Sequence, residues 1–457
     1  MPAERSNEIY DRFYLIQSAN AGQPDAQHIV GLRYLTGQGF PADTAMSLYW
    51  IEKAASQGHL QANYNLGIFL INGWGNIWNP FLAYRSFYYA AENGMPLAQY
   101  VIGIIHTDNL IVKQDYYKAY SWLKKAKQGG IEDADEVIEK LESLGINSEI
   151  DISTATAIKE PEDNSLSPKI IPVYINFDED TTREISPFTL IQDFNTYATS
   201  KEVIKFKINN EDEIGENITR LAELVNYGSG EAALLMAIHY ENGGEKFLAA
   251  EYYMRAFRNE APKSTYFLNK MIKDERFFPM IESGAFNGNS SAQYVWACLT
   301  ALDIKFKTTD DDAFTLWNRA AKNNHIPSLI ELGQAYYSGN GVERDRDKAF
   351  AFWNLAASLD SKDASIRIAL AVVRDMPESP AVIEAIKILT QAADYGSNYG
   401  SYGLGYVYEN GIGVNFSLPS AVKYYRESAQ RGSRIALRSL SRIYDSIRPD
   451  DPEFTLK

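Results

Sequence analysis

The chain of 457 residues has one cysteine, Cys298. No intramolecular disulfide can form, and a site built on paired cysteines is excluded. Histidine is scarce: His28, His59, His106, His239 and His325 are the full set. None falls in an H-E-x-x-H pattern, and no P-loop is present. His59 and His325 share one phase directly after a turn residue, which reads as structural and not as metal ligation. Positive charge is in deficit, with 44 Lys and Arg against 59 Asp and Glu, a net of −15. That balance argues against broad binding to nucleic acid or anionic membrane, which need basic patches. No apolar run approaches the ~20 residues of a membrane span. Charges are scattered through residues 1–20, which excludes a signal peptide there. The expectation is a cytoplasmic protein, or a periplasmic one if a signal peptide has been removed, with no cofactor and no metal.

What is present in quantity is a beat. Ala26, Ala62, Ala98 and Ala134 are 36 residues apart, and Ala436 stands at the same offset from its glycine, Gly432. Gly22, Gly58, Gly94 and Gly130 keep the same interval. With each of these glycines as position zero, position four is alanine. Position eight is Val30, Leu66 and Ile102, and position nine is Gly31, Gly67 and Gly103. Steps of four keep such residues on one helix face, and small residues there admit a neighbouring helix closely. Gly37/Gly39 and Gly73/Gly75 end the first helix of a unit. A second helix carries Trp50, Ala54 and Ala55, then Phe87, Ala90 and Ala91, then Trp122 and Ala126. The interval returns later in Ala313, Ala349, Ala385 and Ala421, and in Leu332, Ile368, Leu404 and Leu440. Self-similarity at such a period marks stacked helical repeats.

The segment Ala62-Asn63-Tyr64-Asn65-Leu66-Gly67 and the unit Leu332-Gly333-x-x-Tyr336-x-x-Gly339-x-Gly341-Val342-x-x-Asp345-x-x-Lys348-Ala349 carry a resemblance. The pattern resembles the Sel1-like repeat, a relative of the tetratricopeptide repeat. A tetratricopeptide array keeps a 34-residue period and lacks the paired loop glycines. The resemblance implies an all-α fold: a right-handed α-solenoid of antiparallel helix pairs, here in two blocks with a non-helical or small β insert between them. It also implies adaptor or scaffold roles, with no catalytic residues. Some members of the family are exported, and some bacterial members are immunity proteins.

Residues 1–145 read as a first block. A capping helix runs from about Glu4 to Ala19, and three full repeats follow. A closing helix is apolar along Val137, Ile138, Leu141 and Leu144 and charged elsewhere, as a wetted solenoid end requires. Residues 146–214 lose the beat and hold Pro161, Pro168, Pro172 and Pro187. Within them, 169–177 and 203–208 are rich in β-formers and are expected to pair as a hairpin or ribbon. This insert is expected to bind the partner or to lie in the groove. A second block covers 215–448, and 449–457 is a tail. In its degenerate unit 260–287, Phe277-Phe278-Pro279 is expected to interrupt the second helix.

Most aromatic residues follow the repeat phase and are expected in the core. Trp74 and Trp78 lie out of phase in the second repeat's loop, where amphipathic rings make good anchors. The alternative is that they fold back over the adjoining loop. Phe277 and Phe278 are similar candidates, weighed against local repacking. Asp178, Glu179 and Asp180 form an acidic cluster without EF-hand spacing. Asp310, Asp311 and Asp312 precede Ala313 and suit a helix N-terminus. Cys298 is expected to be buried and inert.

The expected function is non-enzymatic binding of a protein partner on the solenoid surface. The candidate contacts are Trp74, Trp78, Phe277, Phe278, Asp178, Glu179 and Asp180. The acidic balance makes a basic partner, an effector or a toxin, one expectation, and an immunity protein or antagonist the sharper alternative. No nucleic acid and no membrane insertion are expected. An enzyme with a site between the blocks is the remaining class, and no nucleophile–base constellation supports it.

Overall fold

The computed structural model describes residues 13–146, 218–262, 264–302, 304 and 312–456. Regular structure among them is helical, with no strand. The segments 169–177 and 203–208, and the cluster Asp178, Glu179 and Asp180, lie outside the described residues. The chain divides into two compact units: Met1–Asn195 together with Leu440–Lys457, and Thr196–Ser439.

The first unit holds α1 (13–20), α2 (Pro24–Thr36), α3 (Thr44–Ser56), α4 (Leu60–Asn72), α5 (Pro80–Glu92), α6 (Pro96–Ile105), α7 (Tyr116–Gln128) and α8 (Ala134–Ser143). The second begins with α9 (Ile218–Asn226), α10 (Gly230–Asn242), α11 (Lys246–Arg258), α12 (Ser264–Ile272), α13 (Phe277–Phe286), α14 (Ser290–Ala301) and α15 (Ala313–Ala321). It continues with α16 (Ile326–Ser338), α17 (Arg346–Ser358), α18 (Lys362–Asp375), α19 (Val382–Asp394), α20 (Asn398–Asn410) and α21 (Leu418–Gln430). The last helix, α22 (Arg434–Ser446), carries the boundary at Ser439 and Leu440. In each unit, helices adjacent in sequence pack on one another, which is the solenoid arrangement that the 36-residue beat predicts.

In four of the repeats the start of the second helix is set by a cap at a fixed phase. The side chains of Asp43, Asn79 and Asp115 accept the backbone N–H of Met46, Leu82 and Lys118 at 2.9, 3.0 and 2.9 Å. Asp345 accepts from Lys348 at 3.0 Å in the same register. Each cap satisfies an orphan donor and is worth about 1 kcal/mol. The ends are set by left-handed turns. Where glycine is replaced, Asn324 and Asp360 still take φ of 57° and 67°, and Asn and Asp tolerate that region better than other side chains.

The two helices of a unit meet at position nine. A methyl group added to Gly67 would sit 2.5 Å from the Phe87 ring, and one on Gly333 would sit 2.3 Å from Trp353. Phe87 and Trp353 are both almost wholly buried. Around these contacts Ile51, Leu123, Leu332 and Leu389 are inaccessible to solvent, each worth about 1.5–3 kcal/mol of transfer free energy. The closing helix α8 buries Val137, Ile138 and Leu141 and leaves its acidic face wet.

Two details depart from the sequence expectation. Phe277-Phe278-Pro279 opens α13 instead of interrupting it. Pro279 falls in the first turn, where its missing N–H would have had no helical partner. Residues 449–457 are not a free-standing tail. A 3-10 turn forms at Pro452–Phe454, and 440–457 pack as part of the first unit.

Candidate partner-binding site

Along α5, Phe81, Tyr84, Arg85 and Tyr88 are spaced i, i+3, i+4 and i+7, so they share one face. The C-terminal segment lies on this face. Asp451 accepts the N–H of Glu453 at 3.0 Å and caps the turn Pro452–Phe454. The turn drives Phe454 inward until 1% of it is exposed, with ring centroids 5.0 Å from Phe81 and 5.9 Å from Tyr84, both edge-on. Burying a phenyl ring in this way stabilises by roughly 3 kcal/mol.

Arg85 closes the other side. Its Nε donates to Glu453 at 2.9 Å, Nη2 donates to Asp451, and the guanidinium stands 5.1 Å from the Phe454 ring centroid. The N–H of Glu453 holds the Asp451 carboxyl below its ordinary range, and Arg85 adds to that. Arg85 and both acids are partly exposed, so the ion pairs supply specificity more than strength. Arg448 ties down the start of the segment: Nη2 donates to the Leu110 carbonyl at 2.7 Å and Nη1 to that of Ile111 at 2.9 Å. Tyr444, with no exposed surface, stacks edge-on to Trp78 at 5.8 Å and to Phe81 at 6.3 Å.

The aromatic row continues beyond Phe454. Tyr88 stacks on Tyr84 at 5.8 Å, Trp122 of α7 meets Tyr88 edge-on at 6.1 Å, and the Lys125 ammonium sits 4.2 Å above Trp122. Tyr88 and Trp122 are half-buried. Burial, then the charge of Glu453, pushes the Tyr84 hydroxyl above the ordinary tyrosine range.

The second unit holds a small polar cleft lined by Arg255, Arg258, Asn259, Tyr294, Glu331, Asp363 and Arg367, with Pro327 and Ile330. Its charges are matched internally. Arg258 grips Glu331 with Nε at 2.9 Å and a second bond through Nη2, and Glu331 raises the Arg258 pKa well above the usual value. Arg367 donates to Asp363 at 3.2 Å and lies 4.0 Å over Tyr399. Burial pushes the nearby Glu251 carboxyl up. Its bond to His325 at 3.1 Å and the charge of Arg255 outweigh that and lower it. An incoming ion would meet groups already paired, and breaking such pairs is costly. The cleft is therefore a structural network, and the aromatic row is the stronger binding candidate.

The sequence-derived candidates fall in different places. Trp74 meets Phe69 edge-on at 5.3 Å. Trp78 donates to the Ile71 carbonyl at 3.1 Å and stacks on Tyr444, which brings it to the α5 face. Phe277 is buried in the core around Ile281 and Leu299, with Phe278 half-buried beside it. Arg85, Tyr88, Trp122, Arg448 and Phe454 make up this candidate face and were not singled out from the sequence. One signal existed. The third repeat's loop replaces the glycine pair by Asn109 and Ile111, and Leu110 and Ile111, both buried, offer Arg448 their carbonyls.

The Sel1 repeat family's sequence profile matches residues 24–59, 60–95, 96–131, 326–361 and 399–433. Among solved structures, a protective antigen present in uropathogenic Escherichia coli strains and displaying an SLR fold is 18% identical. The match covers 95% of this chain and 82% of that one, with a TM-score of 0.34. A Sel1 repeat protein from Oxalobacter formigenes is 29% identical over 28% of this chain and 98% of its own, with a TM-score of 0.27. Repeats of this family commonly build scaffolds for protein–protein interaction. No described helix is long and apolar enough to cross a membrane. The matched segments follow the same 36-residue register as the helix pairs and their caps, and the chain carries Sel1 repeats at these five positions.

Proposed function

We propose that this protein is a non-enzymatic scaffold that binds a protein partner on α5 and α7 of its first unit, along the row Tyr84, Tyr88 and Trp122. One observation supports this above others: the same face already grips a non-repeat stretch of polypeptide, through an aromatic socket and an arginine clamp. Preorganised aromatic and arginine side chains are the groups that dominate binding energy in protein interfaces. Arg85 and Lys125 are basic groups exposed at this face, and they suit an acidic segment of the partner even though the net charge of −15 suits a basic one. Local charge decides at contact distance, while net charge acts on the encounter rate. Trp78 belongs to the same surface.

The test is co-purification from the source cells with the wild-type chain and with a Tyr88→Ala/Trp122→Ala variant of matched helicity. A partner retained by the wild type and lost from the variant is the expected result. Retention by both chains would refute this location, and the absence of any protein partner would refute the scaffold role.

A further inference from the structure

We infer that the chain's own C-terminal segment is an exchangeable occupant of this face, holding the place of a partner segment of the same chemistry; the inference rests on the partner-binding reading above. The segment makes its contacts through side chains at fixed offsets: Arg448 to two loop carbonyls, Asp451 and Glu453 to Arg85, and Phe454 into the socket of Phe81 and Tyr84. Its conformation is set locally, by Pro452 and the Asp451 cap. A short peptide can therefore adopt it at low entropic cost. The helices α3, α5 and α7 are capped by residues of their own repeats, without the segment. The contacts define the ligand class: a short peptide able to form a 3-10 turn, with Arg, then an acidic residue three positions on, a second acidic residue two further, and Phe immediately after it.

The row past Tyr84 explains how such a partner would win against a tethered competitor. A tethered segment enjoys a high effective concentration. A partner that also covers Tyr88 and Trp122 gains aromatic contact beside the socket, and the tail is displaced when that gain exceeds the tether's advantage. Acidic partners would associate faster at low salt, since Arg85 and Lys125 are exposed.

The experiment compares the full chain with one lacking 447–457, each titrated with a fluorescent peptide of residues 447–456. The truncated chain should bind the peptide at least ten times more tightly than the full chain. A Phe454→Ala peptide, or Arg85→Ala in the truncated chain, should weaken binding about tenfold or more. Helicity and melting report whether the truncated chain stays folded, and full-length Phe454→Ala serves as a second way to open the face. Equal binding by full and truncated chains, or no binding to a folded truncated chain, overturns the inference. Loss of the fold in both opened variants also overturns it, because an exchangeable occupant cannot be integral to the unit. A partner lost on Tyr88→Ala/Trp122→Ala but unaffected by opening the face would leave the binding reading standing and remove only the placeholder.

Discussion

Gly333→Ala sets two opposing effects against each other, and the structure decides the sign. Alanine in a helix interior is favoured over glycine by about 1 kcal/mol, so local propensity alone predicts a more stable protein. The added methyl would lie 2.3 and 2.4 Å from two atoms of the Trp353 indole, inside any permitted contact. Trp353 is 2% exposed and its Nε1 donates to the Ile330 carbonyl at 3.2 Å, so it has no free space to retreat into. Overpacking costs about 1–3 kcal/mol, and loosening the indole hydrogen bond adds roughly 0.5–1.5 kcal/mol. The expected net is a loss of about 1–3 kcal/mol, or several degrees of melting temperature for a unit of this size. Thermal and urea unfolding followed by circular dichroism measure it. Trp353→Phe removes the indole Nε1 that the methyl would strike. The double variant should then be more stable than the sum of the single changes by at least about 0.5 kcal/mol. The second unit contains its own reference, because Ala297 and Trp317 hold the same phase and lie in one buried core. There the helix pair is built around a methyl group, and Ala297→Gly should destabilise. Unchanged or raised stability in Gly333→Ala would refute close helix contact as the reason for glycine at position nine.

Asp345→Ala should cost about 1 kcal/mol by removing the cap on the Lys348 N–H, seen as a lower urea midpoint. Glu331→Ala leaves the Arg258 guanidinium without its bidentate partner and should cost about 3–5 kcal/mol. Replacing Arg258 by Met together with Glu331 by Leu should cost far less, and equal losses in the two variants would contradict the account of the cleft. His106 is buried, and burial lowers its pKa to about 4 from 6.5. The folded state therefore resists protonation, and stability from this group is complete above pH 6.5 and lost as pH falls towards 4. His106→Leu should flatten that acid loss in a pH series of unfolding midpoints. Asp394 is shifted the other way, up to about 6, by burial and then by Glu427. Its contribution is present at pH below 3.8 and disappears as pH rises through 6, so Asp394→Asn should raise stability at pH 7 relative to pH 4.

The repeat, its caps and its close helix contacts were legible in the sequence because each is a local rule replicated at constant stride. A side chain two or three residues from the backbone group it caps needs no distant partner. A glycine at position nine and a large residue twenty positions later are parts of one helical hairpin. Phe277-Phe278-Pro279 was misread for a related reason: whether proline ends a helix or opens one depends on where the first turn begins, and that is fixed by the packing of Phe277 into the core. The candidate face was hidden because its halves are more than 300 residues apart. Nothing in the phase of Arg85 or Tyr88 distinguishes them from other polar and aromatic residues of second helices. Nothing near Phe454 says that it is buried, since the residues that bury it belong to the second repeat. Sequence alone determined that helix pairs would stack, because that depends on interactions spanning a few turns. Tertiary structure alone decided what lies on α5, because long-range pairing turns on which surfaces are brought into contact, and periodicity carries no record of that.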